Sequence, residues 1–262
     1  MYSFEIVRPT SLADAVAALG QDEAQALAGG QTLIPSLKQR LAQPSVLVSL
    51  TAIAEMLGVS AEGGVLTLGG GTTHGTVARE AAAHYPALAA LASNIGDPAV
   101  RNRGTVGGSL ANNDPAACYP AAALASGATI VTNSREIAME DYFQGMFTTA
   151  LEEGEIITAV RFPIPEKAAY IKFEQPASRF ALVGVFVAKF ADGVRVAVTG
   201  ASEEGVFRWT EAEEALSGNF SATALDGLTV SADGLMSDIH GSSAYRAHLI
   251  GVLTKRAVAA AA

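Results

Sequence analysis

Three glycine-rich turns carry most of the chemistry that this sequence can do. Ala28-Gly29-Gly30-Gln31-Thr32 follows a short apolar run and opens onto Leu33. Glycine reaches positive φ without steric cost and lets another group come close to the backbone. A helix that starts after such a turn exposes free N–H groups and a partial positive charge, the ingredients of an anion site. A tight strand-to-helix turn with no ligand would need the same glycines. Gly69-Gly70-Gly71-Thr72-Thr73-His74 sets three glycines at a strand end, a loss of chain entropy that either close ligand approach or a strand bulge would explain. Thr72 and Thr73 add hydroxyls, although Thr73 also suits a helix cap. His74 can donate to a phosphate or a ring, or be satisfied inside the protein. The third turn runs from Arg103-Gly104-Thr105-Val106-Gly107-Gly108-Ser109 through Asn113-Asp114-Pro115. An acid beside a Gly-rich turn commonly accepts from ribose hydroxyls; Asn and Asp can equally satisfy their own backbone.

Together the three turns suggest one extended dinucleotide. The common nucleotide motifs are missing. No G-x-G-x-x-G follows a strand, which disfavours a Rossmann site, and no G-x-x-x-x-G-K-S/T marks a P-loop. No G-x-S-x-G elbow offers a serine nucleophile.

The elements that must position these turns follow from periodicity. Ser11 to Leu19 reads as a helix capped by Ser11, with Leu12, Val16 and Leu19 on one face. Ala24 to Ala28 reads as a strand, and a helix then runs through Leu33, Leu37 and Leu41. Ser45 to Leu50 and Val65 to Leu68 have the composition of buried strands; Thr73 to His84 and Pro86 to Asn94 read as helices. Gly96 to Asp114 reads as a long irregular stretch, and such loops are usually functional. A helix near Tyr119 to Ala125 follows. Strand-like runs then dominate: Ala128 to Val131, Ile156 to Phe162, Tyr170 to Phe173, Ala181 to Phe190 and Val194 to Val198. Asp192-Gly193 signals a hairpin between the last two. Thr210 to Leu216 and Ala244 to Arg256 read as helices. Two prolines around Ile164 interrupt the strand pattern, which places a boundary there: residues 1–163, split again near 55–60, and residues 164–262.

Composition narrows the function classes. Half of the 262 residues are apolar and 16% are charged, so disorder is not expected. A formal charge of −9 disfavours nucleic acid and anionic membranes. No apolar run of about 18 residues suits a bilayer span. The opening Met1-Tyr2-Ser3-Phe4-Glu5 has no secretory pattern, so a cytoplasmic protein is expected. Cys118 is the single cysteine. It excludes an internal disulfide, and a cluster that needs about four thiolates must sit on another chain.

Taken as a set, the segments AGGQTLIPSLKQRLA, GGGTTH, IGDPAVRNRGTVGGSLANNDPAACYPAA and KFEQPASRFALVGV resemble the medium, FAD-binding subunits of molybdenum hydroxylases, the family of the carbon monoxide dehydrogenase medium chain and the FAD domain of xanthine dehydrogenase. The resemblance spans essentially the whole chain. It implies an α+β, vanillyl-alcohol-oxidase-like (PCMH-type) FAD-binding fold of two subdomains, followed by a C-terminal α+β domain of the CO-dehydrogenase-flavoprotein type. It implies that Ala28, Gly29, Gly30, Gln31, Thr32 and Leu33 cradle the pyrophosphate, and that Thr72, Thr73 and His74 line the flavin and phosphate region. Thr105, Gly107, Gly108, Ser109, Asn113 and Asp114 complete the FAD grip; Ile95, Ile157 and Lys172 lie near the ring. Position 118 often carries an acid in the family and here is Cys118, which leaves Asp114 as the ribose acceptor and Cys118 as a small buried residue.

The same resemblance implies a division of labour. Substrate is oxidised at a molybdenum cofactor on a large partner subunit, and electrons pass through two 2Fe–2S clusters on a small partner subunit. This chain's FAD passes them to an external acceptor, within a dimer of heterotrimers. No general acid or base is required of this chain. Two alternatives are a self-sufficient FAD oxidoreductase of the same fold, which would turn over alone with a nicotinamide cofactor, and a flavin-free assembly module. Arg179 can contact the flavin edge, a partner or only solvent. Glu203, Glu204, Glu211, Glu213 and Glu214 read as solvated, and Trp209 as a core plug.

Overall fold

The computed structural model describes residues 1–261. Its strands form three main sheets. The first is parallel, with Val46–Ser49 between Glu5–Val7 and Ala24–Leu27. Parallel neighbours need crossovers, and the helix Leu12–Leu19 supplies one. The Ser11 side chain caps it by accepting from the Asp14 N–H at 3.2 Å. The helix after the first glycine turn is Leu33–Lys38. It is shorter than the spacing predicts: Arg40 adopts φ 61°, which ends it, and Leu41 is left 75% exposed rather than packed.

The second sheet is antiparallel. Ile157–Pro163 lies at its centre, between Val65–Gly69 and Thr129–Thr132, with Val59–Glu62 and Glu136–Ala138 at the edges. The helices His74–Glu80, Pro86–Ser93 and Tyr119–Ser126 pack with this sheet in one large core through Leu88, Leu91, Tyr119 and Phe162. The stretch Gly96 to Asp114, expected to be irregular, contains two short helices, Pro98–Arg101 and Val106–Asn112. The second hides two glycines, so its composition argues against it; tertiary packing, described below, overrides that preference.

The third sheet runs Lys167–Glu174, Ala181–Phe190, Gly193–Ser202, Gly205–Arg208, all antiparallel. The central strand Ala181–Phe190 alternates two buried faces: Val183, Val185 and Val187 enter the third core, Phe186 and Ala188 the second. Burial on both faces explains its unbroken apolar run. The hairpin lies where Asp192-Gly193 indicates, but Phe190 pairs with Gly193, so the turn residues are Ala191 and Asp192. The helix Ser243–Ala261 covers this sheet together with Thr210–Gly218, around buried Trp209. Glu213 is not solvated as the sequence suggests. It is buried, receives the Arg208 guanidinium and accepts from the Val196 N–H at 2.8 Å, on the part of Gly193–Ser202 that the short strand Gly205–Arg208 does not pair. No helix among the described residues is long and apolar enough to cross a membrane.

Candidate functional site

The three glycine turns meet. The Gly107 N–H donates to the Gly70 carbonyl at 2.9 Å and the Val106 N–H to that of Thr72 at 3.1 Å. The His74 N–H donates to the Gly104 carbonyl at 3.0 Å, and Thr73 and Thr105 form an isolated antiparallel bridge. The first turn closes on the third: a Cβ at Gly29 would meet the Arg103 carbonyl and the Gly104 Cα, and one at Gly108 would touch Ala28. A Cβ at Gly70 would strike the Ile157 carbonyl, and one at Gly107 would sit 2.7 Å from the Gly70 oxygen. These glycines are small because backbone packs on backbone, which brings three distant stretches of sequence into one wall.

The wall borders a cleft of about 810 Å³, in the upper part of the range for small-molecule and cofactor sites, about 300–1,000 Å³. Ala28, Gly29, Gly30, Gln31, Thr32 and Leu33 line it, as do His74, Ile95, Thr105, Gly107, Gly108, Ser109, Asp114, Ile157 and Lys172. Three expected residues do not. The Thr72 hydroxyl is turned inward, donating to the Gly58 carbonyl and accepting from its N–H. Thr73 caps the helix His74–Glu80, accepting from the Thr76 N–H at 3.3 Å. Asn113, left-handed at φ 42° and buried, donates from Nδ2 to the Gly145 and Thr148 carbonyls and so holds a hairpin rather than a ligand.

The turns also differ in what they leave free. In the second and third, the N–H groups of Gly69, Gly70, Gly71, Thr72, Val106 and Gly107 all bond within the protein, and Gly108 donates to the Thr105 hydroxyl. Among the described residues, the N–H groups of Gly29, Gly30, Gln31, Thr32 and Leu33 have no acceptor within the chain. This run faces the cleft and forms its strongest candidate anion cradle. Ser109 Oγ likewise makes no bond within the described residues, and Asp114 spends one carboxylate oxygen on the Ala116 N–H at 2.8 Å. Burial, reinforced by the Arg101 guanidinium, lowers His74 to about 4, so its imidazole is neutral at physiological pH; Nδ1 is buried without a partner among the described residues.

The apolar side chains that line the cleft include Met56, Ile95, Ile156, Ile157 and Phe180. The Lys172 side chain is only 1% exposed. Its ammonium donates to the Asn94 carbonyl at 2.6 Å and the Arg179 carbonyl at 2.7 Å, joining the segment before Ile95 to the Gln175–Phe180 loop. In that loop Ser178 (φ 94°) and Arg179 (φ 60°) are both left-handed, a sparsely populated state for residues with a Cβ. The Arg179 side chain is exposed at the cleft. Cys118 is buried as expected, yet it lines the cleft, with Sγ 3.8 Å from Lys172 Nζ.

Sequence reasoning missed Gly104, Glu155 and Phe180 as lining residues. Gly104 had a signal, since it lies inside the third turn. Glu155 had none. Its carboxylate accepts from Thr132, Ser134, the Arg135 guanidinium and the Glu152 N–H, and so fixes the segment leading to Ile156 and Ile157. The Arg135 hydrogen bond, assisted by the others, holds Glu155 at about 2. A carboxylate depressed in this way stabilises the fold fully above its unfolded value and loses that contribution as pH falls toward 2. Glu155→Gln is expected to cost about 2 kcal/mol at neutral pH, with the difference from wild type shrinking as pH drops from 5 to 3. Denaturant unfolding at a series of pH values measures it; a constant gap would contradict the assignment.

A family profile described as "FAD binding domain in molybdopterin dehydrogenase" matches residues 2–165. The carbon monoxide dehydrogenase medium chain of Afipia carboxidovorans is 35% identical, over 98% of this chain and 96% of that one. The nicotine 6-hydroxylase medium subunit of Paenarthrobacter nicotinovorans is also 35% identical, over 95% of this chain and 94% of that one. The solved structure of quinoline 2-oxidoreductase from Pseudomonas putida 86 matches with a TM-score of 0.89 at 31% identity, covering 99% of this chain and 97% of that chain. The chain belongs to the family of FAD-binding medium subunits of molybdenum-dependent dehydrogenases.

Proposed function

We propose that this chain holds one FAD in the cleft and relays electrons from iron–sulfur clusters on a small partner subunit to an external acceptor, after a large subunit with a molybdenum cofactor has oxidised the substrate. The carrying observation is the junction of the three turns, which sets a run of free amides and an apolar pocket along one cleft. The amides of Gly29 to Leu33 hold the pyrophosphate. Ser109 Oγ and the second Asp114 oxygen face the sugar hydroxyls. Ile95 and Ile157 exclude water from the ring, and Lys172 and Arg179 present positive charge at that end. When bound, the flavin supplies a carrier that exchanges electrons singly or in pairs. The chain's own work is to bind, orient and tune it, and no side chain is needed as a general acid or base.

In this reading residues 1–163 form the FAD-binding part, in two subdomains split near 55–60, and 164–262 the C-terminal domain. The complex is a cytoplasmic dimer of heterotrimers, a setting that suits one unpaired cysteine. Two measurements test the proposal. The protein purified from its own cells is expected to bring two further chains that carry molybdenum and iron, and to show the visible absorbance of a flavin. Adding substrate to that complex without acceptor should bleach the flavin after the iron–sulfur bands begin to change. A lone, colourless chain would overturn the proposal.

A further inference from the structure

At the ring end of the cleft a cation and a thiol are buried together. Lys172 Nζ has two carbonyls and Cys118 Sγ as close partners. Its nearest carboxylate oxygen is Glu174 Oε1 at 4.0 Å, on a side chain 38% exposed, where solvent weakens the pairing. The Tyr170 hydroxyl, also buried and without a partner of good geometry among the described residues, lies against the thiol. Burial pushes Cys118 up, opposed in part by Lys172, and pushes Tyr170 and Tyr119 up as well. All three are therefore neutral at physiological pH, so among the described residues the buried side chains packed against Lys172 set no anion beside its ammonium; the buried Glu155 carboxylate, which also lines the cleft, is paired with Arg135 instead.

We propose that Cys118 is a tuning residue: a neutral thiol at this position leaves the Lys172 charge uncancelled at the cleft wall, so that bound FAD takes up electrons more readily than it would beside an acid. The physical reason is Coulombic. Electron uptake adds negative charge to the ring, and a nearby cation in a weakly screened site stabilises it. A carboxylate at position 118 would form a buried ion pair with Lys172 and remove most of that field.

The inference rests on the placement of the flavin ring under the proposed function, and its test separates the two. The midpoint potential of the FAD is measured by spectroelectrochemical titration of the intact complex. Cys118→Asp is expected to lower it, so that at a fixed poise the ratio of reduced to oxidised flavin falls roughly tenfold. Cys118→Asn has the same shape without the charge and should leave the potential near wild type. Lys172→Met should lower it in the same direction as Cys118→Asp, and it carries the test if the Asp variant does not assemble. Equal shifts from Asp and Asn, or no shift from either Asp or Lys172→Met, would overturn the role of Cys118 while leaving FAD binding intact. A wild-type complex without FAD would overturn the proposed function itself, and this inference with it.

Discussion

Gly29→Ala is expected to weaken FAD binding by about 10- to 100-fold while leaving the chain folded. The added Cβ would enter the space of the Arg103 carbonyl and lie 2.6 Å from the Gly104 Cα, and both are main-chain atoms without a rotamer to yield. Forcing a methyl into such a contact typically costs about 1–3 kcal/mol, and each 1.4 kcal/mol is about tenfold in affinity. Relief requires the first turn to back away from the third, which moves the free amides of Gly29 to Leu33 away from the groups that face them. Flavin titration of the apo chain measures the loss. Gly251→Ala is the control. It lies on the helix Ser243–Ala261 with open space where the Cβ would go, so binding should be unchanged and stability should rise by about 1 kcal/mol.

Arg246→Ala is expected to be the most damaging single change to stability, about 3–5 kcal/mol. This arginine is 2% exposed and projects from the C-terminal helix into the third sheet. Nη1 donates to the Leu182 carbonyl at 2.7 Å and the Gly200 carbonyl at 2.6 Å, and Nη2 pairs with Asp238 at 2.8 Å. Its removal leaves two buried carbonyls unpaired and a cavity beneath the helix. The damage should reach the cleft. The Gly200 N–H donates to the Pro115 carbonyl, and the Thr199 hydroxyl is 2.8 Å from the Pro115 and Ala117 carbonyls, so the same strand fixes the segment between Asp114 and Cys118. Chemical denaturation should show the loss, and FAD affinity should fall with it. Arg246→Lys should recover little, because an ammonium cannot reproduce the forked donor geometry.

Much of this architecture was legible because its elements are locally consistent. Runs such as Ala181 to Phe190 have the β-branched, apolar composition of strands buried on both faces, and Ser11 carries its own capping signal. Short polar edges such as Val59–Glu62 and Gly205–Arg208 were not legible, since their pairing comes from neighbours distant in sequence. The helix Val106–Asn112 was hidden for a physical reason. Gly107 is needed against Gly70, and that close approach outweighs its poor helix propensity. At the site, the glycines were readable but their reason was not. The sequence suggests close ligand approach, whereas most of these glycines serve close approach of turn to turn. The same blindness misplaced Thr72 and Asn113, whose polar groups are taken by the Gly58, Gly145 and Thr148 backbone. Side chains of that kind are assigned correctly only once their partners are located.

Hydrogen exchange of the apo chain with and without FAD tests the central claim most directly. The amides of Gly29 to Leu33 lack acceptors among the described residues, so they should exchange fast when apo and become protected once FAD binds. Those of Gly69 to Thr72 and of Val106 to Gly108 should be slow in both states. Absence of flavin binding, or protection that leaves residues 29–33 untouched, would contradict the account.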